Sequence, residues 1–96
     1  MEYLVTMTTH VPEGTPEQAV DDVRAREAAR SRELAAQRHL ERLWALPGPG
    51  RALGLWRARD SDQMRAIVNS LPLDPWMTTQ ITPLTPHPSD PAAASS

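Results

Sequence analysis

Ninety-six residues without a cysteine make one small domain that excludes disulfides and any thiolate metal or redox chemistry. Ten basic residues, every one an arginine, stand against twelve acidic ones, and a formal charge of −2 disfavours a nucleic-acid partner. No apolar run approaches a membrane span and the alternating N-terminus EYLVTMTTH is not a signal peptide, so a soluble cytoplasmic protein with no membrane partner is expected.

The first element spans Glu2 to His10, where Tyr3, Val5 and Met7 alternate with Leu4, Thr6 and Thr8. That period of two, rich in β-branched residues, predicts a strand. Val11-Pro12-Glu13-Gly14 breaks it. Thr15 is placed to cap a helix with Pro16 in its first turn and Gln18 completing a capping box. The helix runs on through an Ala-, Arg- and Glu-rich stretch to Arg38. His39 to Leu46 predicts a second strand, with Leu40, Arg42, Trp44 and Leu46 on one face and His39, Glu41, Leu43 and Ala45 on the other. Pro47-Gly48-Pro49-Gly50 is a turn, and Leu53 to Ala58 completes a hairpin. Asp60 or Ser61 then caps a short helix whose Met64, Ile67, Val68 and Leu71 recur at helical spacing until Pro72 stops it. Trp76 to Leu84 is a fourth strand. Residues 85–96 form an extended Pro-, Ala- and Ser-rich arm that either docks on a neighbour or stays disordered.

The order β-α-β-β-α-β predicts an α+β, ferredoxin-like domain over residues 1–84, an antiparallel four-stranded sheet with both helices on one face. The other face stays open, so a homo-oligomer is the physical expectation for so small a chain.

Within the first helix, at about 100° per residue, Val20, Val23, Glu27, Ser31 and Leu34 fall within roughly 40° of one another. Glu27 thus interrupts an apolar stripe. A carboxylate turned towards a core loses hydration, which raises its pKa towards neutrality and suits it to general acid–base catalysis. The alternative is a glutamate that bends to the surface or pairs with Arg24 or Arg30. Companions for Glu27 in a helix–sheet pocket are His10 at the end of the first strand, His39 at the helix–strand junction, Arg42 and Trp44 on the second strand, and Trp56 on the third. The tryptophans also serve as core in a domain without phenylalanine. Arg42 is a candidate to hold a substrate carboxylate.

Other chemistries lack their residues. His10, His39 and His87 do not have metal-ligand spacing, so no metal is expected. The chain has no G-x-S-x-G, Walker loop or G-x-G-x-x-G. Cofactor-free proton transfer at an acidic carbon remains, needing a positioned base and a means of holding substrate.

VTMT with Pro12 behind it, Arg26-Glu27, Arg42-Leu43-Trp44 followed by Gly48, LPLDPWM at 71–77 and His87-Pro88-Ser89 occur in this order along nearly the whole chain. In these motifs the sequence resembles the muconolactone delta-isomerases. The resemblance implies a ferredoxin-like fold of the dimeric α+β barrel type, assembly into rings that are typically decamers built from dimers, and no cofactor. It also implies isomerisation of muconolactone to 3-oxoadipate enol-lactone, or of a related unsaturated lactone, with Glu27 as the acid–base group. The dienolate formed between the two proton transfers requires a donor or cation at its oxygen, and Arg42, His10 and Arg51 are the candidates. Family members carry a tyrosine and a small polar residue after Gly48, where this chain has Gly50-Arg51-Ala52, and a basic residue on the first strand, where it has Thr6 and Thr8. Such changes alter specificity more readily than fold. Two other functions fit the same features: a cofactor-free cyclase or lyase of natural-product biosynthesis, and a non-catalytic ring protein that binds a ligand.

Overall fold

Strict alternation in the first strand separates its two faces cleanly. In the computed structural model, which describes residues 1–94, β1 (Glu2–Thr9) buries Tyr3, Val5 and Met7 and leaves Leu4 and Thr6 on the opposite side. β1 is central: it pairs antiparallel with β3 (Arg51–Arg57) on one flank and β4 (Met77–Leu84) on the other, while β2 (Leu40–Ala45) pairs with β3 at the edge. The sheet order β2-β3-β1-β4 is the expected ferredoxin-like arrangement. Helices α1 (Glu17–Ala36) and α2 (Ser61–Asn69) supply the crossovers.

The core joins Tyr3, Val5, Met7 and Trp56 of the sheet to Leu34 of α1 and to Met64, Ile67, Val68 and Leu71 of α2 and its exit. All four apolar positions read from the spacing of the second helix are buried. Each such side chain contributes about 1.5–3 kcal/mol when fully withdrawn from water. Asp60 is the N-cap of α2, accepting a hydrogen bond from the Gln63 N–H at 2.8 Å. Asp60→Ala removes that acceptor and is expected to lower the melting temperature, with Asp60→Asn restoring most of it. Thermal denaturation of the two variants checks this.

Three local expectations are corrected. The first is the capping box of α1: the helix begins at Glu17 with Pro16 as N-cap, and no side chain caps it. The Thr15 hydroxyl instead donates to the Pro12 carbonyl at 2.6 Å, closing the turn that leads into the helix. The second concerns β2, which is bulged. Leu40 stands opposite Trp56 but Arg42 opposite Leu55, so Glu41 is an extra residue and the alternation changes phase there. Downstream of the bulge, Leu43 and Ala45 share the helix-side face with Gly54 and Ala52, while Arg42 and Trp44 share the open face with Leu55 and Leu53. The third is the C-terminal arm. Asp90 accepts a hydrogen bond from the Ala92 N–H at 3.0 Å and starts a one-turn α3 (Pro91–Ala94), so this part of the arm is helical rather than extended. The last two residues of the 85–96 arm lie outside the described residues.

The β2–β3 hairpin approaches the end of β1 so closely that one turn position admits only glycine. Gly50 has φ +68°, its carbonyl accepts from the Thr9 N–H at 2.8 Å, and a Cβ there would lie 2.7 Å from the Thr9 carbonyl oxygen.

Candidate active site

α1 crosses the sheet with one shallow stripe inward. Val20, Val23, Glu27 and Ser31 are half-buried along it and Leu34 is fully buried. Where this stripe meets the ends of β1, β3 and β4 there is a cavity of about 180 Å³. Glu27, Ser31, Met7, Thr9, Leu43, Ala52, Trp56, Leu73 and Met77 line it. Ligand pockets for drug-sized molecules run to ~300–1,000 Å³, so this one suits a small metabolite. Its walls are mostly apolar, Glu27 is the only charged residue among them, and no cation lines it.

The Glu27 side chain is bound by one backbone group. Its Oε1 accepts from the Leu73 N–H at 2.9 Å. Leu73 sits between the end of α2 and the 3-10 turn Asp74–Trp76, a segment whose direction is set by Pro72 and Pro75. Neither Arg24 nor Arg30 pairs with Glu27: Arg30 bonds Glu33 at 2.8 Å and the Ser70 hydroxyl at 3.0 Å, and no ion pair of Glu27 occurs among the described residues. Burial pushes the Glu27 pKa above its ordinary value; the Leu73 N–H opposes the shift and the negative charge of Asp74 adds to it. Glu27 is therefore a carboxylate biased towards holding a proton, with one oxygen anchored.

Of the residues singled out from the sequence, Glu27 and Trp56 reach this cavity. Arg42 and Trp44 do not. The bulge at Glu41 turns them to the open face, where the Arg42 guanidinium lies 5.0 Å from the centre of the Trp44 ring. Arg51 is opposite Thr8 on that same face, and its Nη1 donates to the Pro47 carbonyl at 3.0 Å. His10 follows β1 and is exposed, with its backbone N–H bonded to the Trp76 carbonyl at 2.6 Å. His39 lies beside the Arg57 carbonyl, 2.9 Å from its Nδ1, and not beside Glu27. Among the described residues no three His, Cys, Asp or Glu side chains cluster to hold a metal ion, and no helix is long and apolar enough to cross a membrane.

Sequence reasoning missed Leu43 and the Leu73 amide. Leu43 is brought in by the bulge, which leaves no periodic signal. Leu73 lies 46 residues from Glu27 and contributes through its backbone, which no residue-type pattern reports; only its place in the LPLDPWM motif marks it.

Trp56 lies almost wholly within the core, at 1% exposure, and its indole Nε1 is buried without a hydrogen-bond partner among the described residues. A donor left so costs about 1–3 kcal/mol. Its ring covers Gly54: a Cβ at that glycine would collide with Nε1 and crowd Cδ1 and Cε2.

Residues 1–90 match the family profile of muconolactone delta-isomerase. The chain is 32% identical over 89 residues to a muconolactone delta-isomerase of Cupriavidus pinatubonensis, which covers 93% of this chain and 97% of that one. A muconolactone delta-isomerase of Rhodococcus opacus is 30% identical over 86 residues, 90% and 92% of the two chains. A crystal structure of muconolactone isomerase has the same fold, with a TM-score of 0.86, 22% identity and 95% of each chain covered. On the profile match and these relatives, the chain is a member of the muconolactone delta-isomerase family.

Proposed function

We propose that this isomerase moves the ring double bond of muconolactone, or of a closely related unsaturated lactone, with Glu27 as the proton carrier. The observation that supports it is a half-buried carboxylate without an ion-pair partner among the described residues, at the wall of a small apolar cavity. The Glu27 carboxylate removes the proton from the ring carbon that bears the side arm, and the electron pair shifts through the double bond onto the carbonyl oxygen as a dienolate. Return of the same proton to the carbon beside the carbonyl, two carbons along, gives the enol-lactone and restores the carboxylate. Atoms and charge balance without a cofactor. Partial burial serves the first transfer, because it makes the carboxylate a stronger base.

Conversion of muconolactone by the purified protein, followed by ultraviolet absorbance, tests this reading. Product formation supports it, and its absence with intact folded protein moves the cyclase or lyase reading ahead. The pH profile adds a second check. The base must be ionised, so the acid limb of kcat/KM should have its midpoint above the ordinary value of 4.5, and a midpoint at or below that value would contradict a buried base.

The same proposal includes a homo-oligomer in the cytoplasm. The open sheet face carries Leu4, Leu53 and Leu55 with the more exposed Trp44 and Leu84, an apolar area that a second copy can cover. Sedimentation or light scattering measures the assembly size, with dimers or decamers expected.

A further inference from the structure

The proton shift just described places negative charge on a carbonyl oxygen, and the Glu27 cavity holds no cation to receive it. What the cavity wall does hold is an unused donor. Trp56 lines the cavity, and its Nε1 is the one buried side-chain polar atom without a partner among the described residues.

The direction of the indole follows from the strand. Ala52, Gly54 and Trp56 occupy successive helix-side positions of β3, opposite Met7, Val5 and Tyr3. Because Gly54 has no side chain, the Trp56 ring folds back over it along the strand. Nε1 is the ring atom nearest the missing Cβ, so the nitrogen edge lies over Gly54, between Val5 and Leu43 on the neighbouring strands; Leu43, and Ala52 one helix-side position further along β3, are walls of the cavity. This nitrogen is sealed from solvent. Met7 and Met77 line the same space, and unbranched methionine side chains can shift to admit a ligand atom.

We propose that the Trp56 indole Nε1–H is the donor that receives the lactone carbonyl oxygen and stabilises the dienolate on it. The proposal rests on the lactone isomerase reading of the cavity. A neutral donor already stripped of water needs no reorganisation when charge develops. Gly50-Arg51-Ala52 supplies no side-chain hydroxyl or amide for this role. The substrate class it selects is an uncharged lactone or conjugated carbonyl ring at the inner end of the cavity, with any carboxylate arm held away from Glu27.

The test labels the protein uniformly with ¹⁵N and follows the three indole N–H resonances, of Trp44, Trp56 and Trp76, together with the Leu73 amide. Titrants are muconolactone and but-2-en-4-olide, the same ring without its carboxymethyl arm. The Trp56 resonance is assigned by its loss in Trp56→Phe, or by elimination with Trp44→Phe and Trp76→Phe if the first variant does not fold. The expected result is a saturable downfield shift of the Trp56 N–H that tracks the Leu73 amide, and a kcat about 10²-fold lower in Trp56→Phe with the acid limb of the pH profile unmoved. A Leu73 amide that shifts while the Trp56 N–H stays fixed, or a folded Trp56→Phe with wild-type kcat, overturns the proposal and leaves the isomerase reading intact. A shifting Trp56 N–H in a protein that does not turn over muconolactone supports the donor and removes the isomerase reading. If neither resonance responds to either lactone, both fall.

Discussion

Glu27→Gln should lower kcat for lactone isomerisation by about 10⁴-fold, the upper end of what a general acid–base group contributes. The size follows from one carboxylate carrying out both transfers, so its loss removes the base and the acid together. Glutamine keeps the shape, and its carbonyl oxygen can still accept from the Leu73 N–H that holds Glu27 Oε1 at 2.9 Å. Binding of but-2-en-4-olide should therefore be retained while turnover is lost. Stability should move the other way. The Glu27 pKa is raised in the fold, so the folded state binds its proton more tightly than the unfolded chain does. Stability then falls as pH rises from the ordinary value of 4.5 through the raised one. Glu27→Gln removes this dependence. Denaturant unfolding should find the variant equal to wild type in acid and more stable at neutral pH. A variant that is inactive and markedly less stable at pH 7 would mean that Glu27 is structural.

Gly54→Ala should destabilise the domain by about 1–3 kcal/mol through overpacking, lowering the melting temperature by roughly 4–8 °C for each kcal/mol in a chain of this size. Gly54 is buried at the centre of the sheet, opposite both Val5 and Leu43. An added methyl meets the fixed pyrrole edge of a fully buried indole rather than a flexible side-chain end. The cost is therefore a property of the pair. In a Trp56→Phe background the smaller ring leaves room, and Gly54→Ala should become nearly neutral. A double-mutant cycle read by thermal denaturation measures the coupling. Additive effects would show that the indole does not occupy the space over Gly54.

How far the chain could be read without its structure depends on how local each determinant is. Tyr3, Val5 and Met7 declare a buried strand face because alternation is a property of neighbouring residues. Met64, Ile67, Val68 and Leu71 declare a helix face for the same reason. β2 misleads in the same local terms: its letters alternate smoothly through Glu41, and the extra residue is visible only in the pairing with β3. One residue of slip exchanged the two faces, sending Arg42 and Trp44 away from the cavity and bringing Leu43 to it. Thr15 shows a smaller version, since its hydroxyl had two acceptable uses and the Pro12 carbonyl took it.

Composition and periodicity were enough to determine a cysteine-free α+β fold, the order of its elements, and the anomaly of a glutamate on an apolar stripe. Motif order along the chain was enough to determine the family. The tertiary structure decided what surrounds that glutamate. It brought the Leu73 amide to it from 46 residues away, left the arginines of α1 unpaired with it, and laid the Trp56 indole over Gly54 at the wall of the same cavity. The physical reason is that pKa, cavity shape and donor placement depend on distances between elements. A linear sequence encodes those distances only through the packing it produces.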